Sequence, residues 1–116
     1  MEKISFSYKG KKVKISAIRV GALGRIMGLM FRSLNNSEPL LFNFNKEVNL
    51  KIHSLFVFFP FVAVWLDGKR NVVDIKKVEP FTFSVSSKKD FTTLIEIPLN
   101  QKNSAIVGKL GFLVGS

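Results

Sequence analysis

Side-chain catalysis needs a nucleophile or a metal, a base, and a group that orients them, and this chain is poorly stocked with such residues. It holds one histidine, His53, and no cysteine. Thiol nucleophiles, disulfides and cysteine-ligated zinc are therefore excluded, and one imidazole cannot by itself supply the ligands of a zinc site. No serine lies in a Gly-x-Ser-x-Gly elbow. The eight carboxylates are scattered, with no Asp-x-Asp or Glu-x-x-His pair, so nothing favours paired-carboxylate hydrolysis. Gly21, Gly24 and Gly28 lack the Gly-Lys-Ser/Thr ending of a phosphate loop. An enzyme ranks behind two binding readings, and no catalytic residue, cofactor or metal is assigned.

Two residues stand out as ligand-binding candidates. Arg32 closes an apolar run, so its guanidinium could enter a cavity and grip a carboxylate or phosphate through two parallel bonds. A structural ion pair is the competing explanation. His53 lies among Ile52, Leu55 and Phe56; there a buried, hydrogen-bonded imidazole competes with a ligand-binding one. Convergence of Arg32 and His53 on one pocket would favour a small anionic ligand or a protein partner.

Charge supplies the second reading. Eighteen Lys and Arg against eight Asp and Glu leave a net charge of +10, which attracts anions, nucleic acid and acidic surfaces through long-range field alone. Lys9, Lys11, Lys12 and Lys14 crowd into one short segment and are the candidate nucleic-acid contacts. A solvated sheet edge whose lysines discourage aggregation is the favoured explanation for them. Phe56, Phe58, Phe59 and Phe61 would form a base-stacking platform if exposed beside lysines, and core if buried. Trp65 carries the same ambiguity, because its indole N–H needs an acceptor when buried.

The elements that must position these residues are mostly strands. Ile4, Phe6 and Tyr8 alternate with polar residues, as do Val13, Ile15 and Ala17. With Gly10-Lys11 as a two-residue turn, Tyr8 faces Val13, Phe6 faces Ile15 and Ile4 faces Ala17. Leu23, Ile26, Met27 and Met30 recur at three- and four-residue steps, predicting a short helix over 20–30. Leu40, Phe42 and Phe44 mark a strand, and 45–49 turns the chain. Residues 61–66 are apolar on both faces, as a central strand requires, with Pro60 at a bend and Asp67-Gly68 opening a hairpin turn. Phe81, Phe83 and Val85 predict another half-buried strand, and 92–97 one more, ended by Pro98. Residues 100–107 have room for a helical turn. Short strands with one weak helix predict a mainly β fold, a small antiparallel sandwich or barrel with one short α-helix.

A chain of 116 residues fits a single domain spanning 1–116, and 47% apolar residues can form its core without disulfides or metal. The N-terminus has no apolar h-region. The longest apolar stretch, 55–66, falls short of the ~20 residues a spanning helix needs and is interrupted by Pro60. A cytoplasmic protein without a membrane span is expected, and the lack of cysteine fits that compartment.

Several strings, taken in order, resemble the DUF192 family, which has no established biochemical role. Gly28-Leu29-Met30-Phe31-Arg32 matches the family's first string fully. Leu41-Phe42 sits where the next strand belongs, and the segment from Ile52-His53-Ser54 to Pro60 looks like the archaeal variant. Leu66-Asp67-Gly68-Lys69 resembles the hairpin turn, and Val78-Glu79-Pro80 and Glu96-Ile97-Pro98 resemble the later strings. The likeness covers about residues 12–114. It implies a mostly β domain of sandwich or barrel type and marks Arg32 as the family's arginine. Val62, Ser54 and Lys109 depart from the pattern; Val62 and Lys109 stand where relatives carry acids that could anchor a polar site.

Overall fold

The computed structural model describes residues 1–20, 38–52, 59–82 and 84–114. Strands β1 (Glu2–Tyr8) and β2 (Lys11–Arg19) form the opening hairpin. They are followed by β3 (Leu40–Val48), β4 (Phe61–Leu66), β5 (Val72–Val78) and β6 (Phe91–Pro98). A 3-10 turn (Gln101–Asn103) runs directly into helix α1 (Ser104–Lys109). The strands make one sheet in the order β1-β2-β3-β6-β4-β5. Neighbours are antiparallel except β2 and β3, which run parallel where Ile18 meets Leu40. The architecture is the expected mainly β fold with a short helix, in the form of a half-barrel of mixed sheet.

Curvature brings the two edge strands together at one end. Ser7 of β1 bridges Asn71 just ahead of β5, and the Ser7 N–H donates to the Arg70 carbonyl at 2.9 Å. Edge strands otherwise expose unpaired backbone groups, so this contact removes part of that liability. The concave face packs Ile4, Phe6, Val13, Ile15, Leu41, Val62, Val64, Leu66, Ile95 and Ile97 against Val107 and Leu110 of the α1 region. Asn103 holds the helix in place: its side-chain amide donates to the Pro98 carbonyl at 2.9 Å, while its backbone N–H bonds the Asn100 side chain at 3.0 Å. The convex face carries a second core of Leu40, Phe42, Phe59, Phe61, Ala63, Trp65, Val78, Phe91 and Leu94. Phe91 meets the edges of Trp65 and Phe44, with ring centroids 6.4 and 5.7 Å apart.

The hairpin differs from its expected register by two residues. The turn is Lys9-Gly10, with φ of 50° and 77°, so Tyr8 pairs with Lys11, Phe6 with Val13 and Ile4 with Ile15. Positive φ at both central residues gives a type I′ turn, whose twist matches that of the flanking strands. A slide by two keeps every side chain on its face, so the apolar pairing survives. The slide also relieves repulsion. The expected register sets Lys9 against Lys12, whereas the observed one places each outward lysine opposite a serine: Lys3 with Ser16, Lys14 with Ser5, Lys12 with Ser7.

Two other expectations change. The strand anticipated around Phe81 and Val85 is reduced to an isolated bridge between Val85 and Ile52, with both backbone bonds at 2.8 Å. Phe81 takes a positive φ of 62° and is 55% exposed, a backbone that leaves the ladder. The turn expected at 45–49 instead lies within β3, as an irregularity between Asn43 and Val48 where Asn45 has φ 61°. The helix predicted over 20–30 lies outside the described residues, as does Phe83.

The turn assignment is testable at Lys9. Asparagine tolerates the left-handed region better than lysine, so Lys9→Asn should raise stability by about 1 kcal/mol, read as a shift of the urea midpoint at unchanged slope. A loss of stability would restore the Gly10-Lys11 turn.

Candidate functional site

The convex side of the sheet is divided between two chemistries. On β1 and β2 it presents Lys3, Ser5, Ser7, Lys12, Lys14 and Ser16 in a lysine–serine checkerboard. Among the described residues none of these three lysines has a carboxylate partner. The nearby Glu2 is committed to Arg19, with both bonds at 2.7 Å. That guanidinium holds the Glu2 carboxyl below its ordinary range. Where the hairpin approaches the 3-10 turn, Lys3, Ser5, Lys14 and Ser16 line an open cleft of about 480 Å³ with Glu38, Pro39, Lys102 and Asn103. Lys102 is ion-paired to Glu38 across it.

Of the four lysines named from the sequence, the structure gathers two. Lys12 and Lys14 share the outward face with Lys3, whereas Lys11 pairs with Tyr8 on the other face. Lys9 sits in the turn, with its ammonium 5.3 Å from the centre of the Tyr8 ring. Lys3, Ser5 and Ser16 were not legible as partners of Lys14, because only the register sets them side by side. Arg32 and His53 lie outside the described residues, as do Phe56 and Phe58. Phe59 and Phe61 are buried in the convex core, so they offer no exposed stacking platform.

Across β3, β6 and β4 the same convex side is apolar, with two polar intrusions. Glu96 of β6 pairs with Leu40 on one side and Ala63 on the other. It is 6% exposed, and among the described residues nothing bonds its carboxylate. Burial pushes its pKa from the ordinary 4.5 up to about 8, so the carboxyl is neutral at pH 7. The second intrusion is the indole N–H of Trp65, fully buried and, among the described residues, without an acceptor. Among the described residues, β5 sets charges beside this region. Asp74 accepts from the backbone N–H groups of Ile75 and Lys88 at 2.8 and 2.9 Å. Lys76 lies 3.6 Å from Asp74, donates to the Ser86 carbonyl and rests 5.8 Å from the centre of the Trp65 ring system. A carboxylate inside the apolar run Leu94-Ile95-Glu96-Ile97 was the signal for this feature. Val62, one of the departures from the family pattern, lies in the concave core, where an apolar residue fits.

Among the described residues no three His, Asp or Glu side chains gather as metal ligands, and no helix is long and apolar enough to cross a membrane.

The raised carboxyl gives stability a defined pH dependence. Between pH 4.5 and 8 the folded state holds a proton that the unfolded chain has released, so stability falls as pH rises through that window. The loss amounts to something on the order of 4 kcal/mol. Glu96→Gln is neutral throughout, so its advantage in melting temperature over the wild type should grow from pH 5 to pH 8. Parallel curves would mean that Glu96 titrates as an ordinary carboxylate.

The DUF192 family, described as "Uncharacterized ACR, COG1430", matches residues 7–108, and the chain belongs to it. No curated protein matches the sequence. Two solved structures share the fold. A protein of unknown function from Novosphingobium aromaticivorans is 17% identical with a TM-score of 0.70, over 97% of this chain and 80% of that one. A protein from Sinorhizobium meliloti named a "putative transcription regulator" is 16% identical with a TM-score of 0.67, over 96% of this chain and 85% of that one.

Proposed function

We propose that this DUF192 domain is a non-catalytic binding module whose working surface is the lysine–serine face of the β1–β2 hairpin and the cleft at its end. The ligand chemistry that fits is phosphate. Lys3 and Lys14 supply charge without a competing carboxylate, and the hydroxyls of Ser5 and Ser16 add neutral donors between them. The observation that carries this reading is the register, which assembles four such side chains around one cleft. The neighbouring Glu38 is already occupied by Lys102 and does not repel an anion.

A nucleic-acid backbone is the polymeric form of the same ligand. Lys12 extends the row of charges beyond the cleft along the hairpin, and a stripe reads a chain of phosphates better than a single one. The name of the Sinorhizobium meliloti structure is compatible with that form. Arg32 and His53 stay in the proposal as a separate pair for a small anionic ligand, testable by substitution in the same assays. A cytoplasmic location suits either ligand.

Fluorescence anisotropy with a labelled oligonucleotide, against competition by inorganic pyrophosphate, separates the two forms. Replacing Lys12 and Lys14 with Gln should weaken oligonucleotide binding. Each replacement should also reduce the slope of log affinity against log salt by about 1. Lys109→Gln, remote from the cleft on α1, should leave both unchanged. Competition by pyrophosphate at a concentration where Lys12→Gln has no effect would point to the small ligand. Failure of both probes to bind at low salt would remove the proposal.

A further inference from the structure

The four outward side chains of the cleft stand in a square. Lys3 faces Ser16 and Ser5 faces Lys14 in successive outward cross-strand pairs, so the lysines take one diagonal and the serines the other. Such a diagonal spans roughly 7–8 Å between β-carbons. That is wide enough to keep two ammonium groups apart, and the flexible four-carbon stems let both reach one phosphate group. Lys3 and Lys14 are exposed, whereas Ser5 and Ser16 are half-buried. The short hydroxyls therefore sit low between the ammonium groups.

The charge of this cleft sets a threshold for its ligand. Lys102 on the 3-10 turn is ion-paired to Glu38 ahead of β3, and both line the cleft. That pair is neutral in sum. Among the described residues, the ammonium groups of Lys3 and Lys14 are then left as the uncancelled charges of the lining, a surplus of two. A phosphodiester within a nucleic-acid strand brings one negative charge. A phosphomonoester brings about 1.5–2 at pH 7, with three terminal acceptor oxygens. The monoester therefore matches the surplus, and its extra oxygen uses more of the donors that two lysines and two serines supply. Pro39 and Ile106 line the same cleft and offer an apolar surface beside the phosphate position.

We infer, on the reading that this cleft is the phosphate site, that it takes the terminal phosphomonoester of an organic molecule in preference to an internal phosphodiester. Lys3 and Lys14 grip the phosphate from two corners of the square, Ser5 and Ser16 donate to the oxygens between them, and the attached body lies toward Pro39 and Ile106. Glu38 sets the selectivity by holding Lys102, which keeps the surplus at two charges rather than three. Two sources present this chemistry, a small phosphorylated metabolite and the phosphorylated end of a nucleic-acid strand. For a strand end, Lys12 stands about 7 Å farther along β2 on the same face, where the next phosphate would follow.

Calorimetry on the full chain at low salt and neutral pH compares phenyl phosphate, methyl phenyl phosphate and inorganic phosphate. Phenyl phosphate should bind about tenfold more tightly than the methyl ester, which keeps the ring but carries a single charge. It should also bind more tightly than inorganic phosphate, which lacks the ring. Glu38→Gln frees Lys102 and should tighten phenyl phosphate about fivefold, with a smaller gain for the methyl ester. Lys14→Gln should remove most of the preference for the monoester. Equal affinity for phenyl phosphate and its methyl ester would overturn the monoester assignment and leave the phosphate reading standing. Failure of all three probes and of an oligonucleotide to bind would remove that reading as well. The source is read from adenosine monophosphate and from one oligonucleotide carrying either a 5′-phosphate or a 5′-hydroxyl. Tightest binding of the phosphorylated strand assigns the strand end, and equal binding of the mononucleotide assigns the small molecule; either result supports the monoester. A 5′-hydroxyl strand that binds as tightly as its phosphorylated form, with no binding of the mononucleotide, would count against it.

Discussion

Every part of this domain depends on β6 being buried on both faces. It pairs with β3 on one side and β4 on the other, and from Phe91 to Pro98 only Thr92 is other than buried. Ile95 and Ile97 fill the concave core, while Phe91 and Leu94 fill the convex one. A strand in that position has no solvent side, so any ionisable group inserted into it must be neutralised or paired. Glu96 is that insertion. Its raised pKa follows from where the strand lies, and a carboxyl on an exposed strand would show no such displacement.

The rest of the sheet is organised by how far each strand lies from β6. β4 shares the double burial, with all six of its residues buried. At the far side, β1 and β2 bury only the face turned toward the concave core and give water the other. One side of the sheet thereby changes from buried and aromatic to exposed and lysine-rich, with Ile18 and Leu40 at the boundary. Anions are attracted to the exposed, lysine-bearing half, whereas the aromatic half is buried. The proposed lysine–serine site is a consequence of that division.

The strand pattern was largely legible because periodicity reports burial directly. Ile4 and Phe6 alternating with serines, and 61–66 apolar throughout, correspond to a one-sided edge hairpin and a two-sided central strand. Errors fell where local chemistry outweighs pattern. The hairpin slid by two because a type I′ turn fits Lys9-Gly10 and lysines avoid facing one another. Phe81 left its strand because its backbone adopts a left-handed conformation, which no alternation of side chains reveals. Arg32 and His53 were the residues that sequence singled out for chemistry. The described geometry instead draws attention to Lys3, Lys14, Glu96 and Trp65.

From the sequence alone came the class of fold, the family, the surplus of positive charge and the lack of thiol chemistry. Each is a property of residue type or short-range spacing, which the linear chain carries in full. Tertiary structure decided which lysines are neighbours, which carboxyl loses its water, and where the indole is buried. Those outcomes depend on strand register and on the order β3-β6-β4, in which residues more than fifty positions apart become adjacent. Hydrogen-bonded pairing across such distances is set by the sum of many contacts, and no local stretch of the chain encodes it.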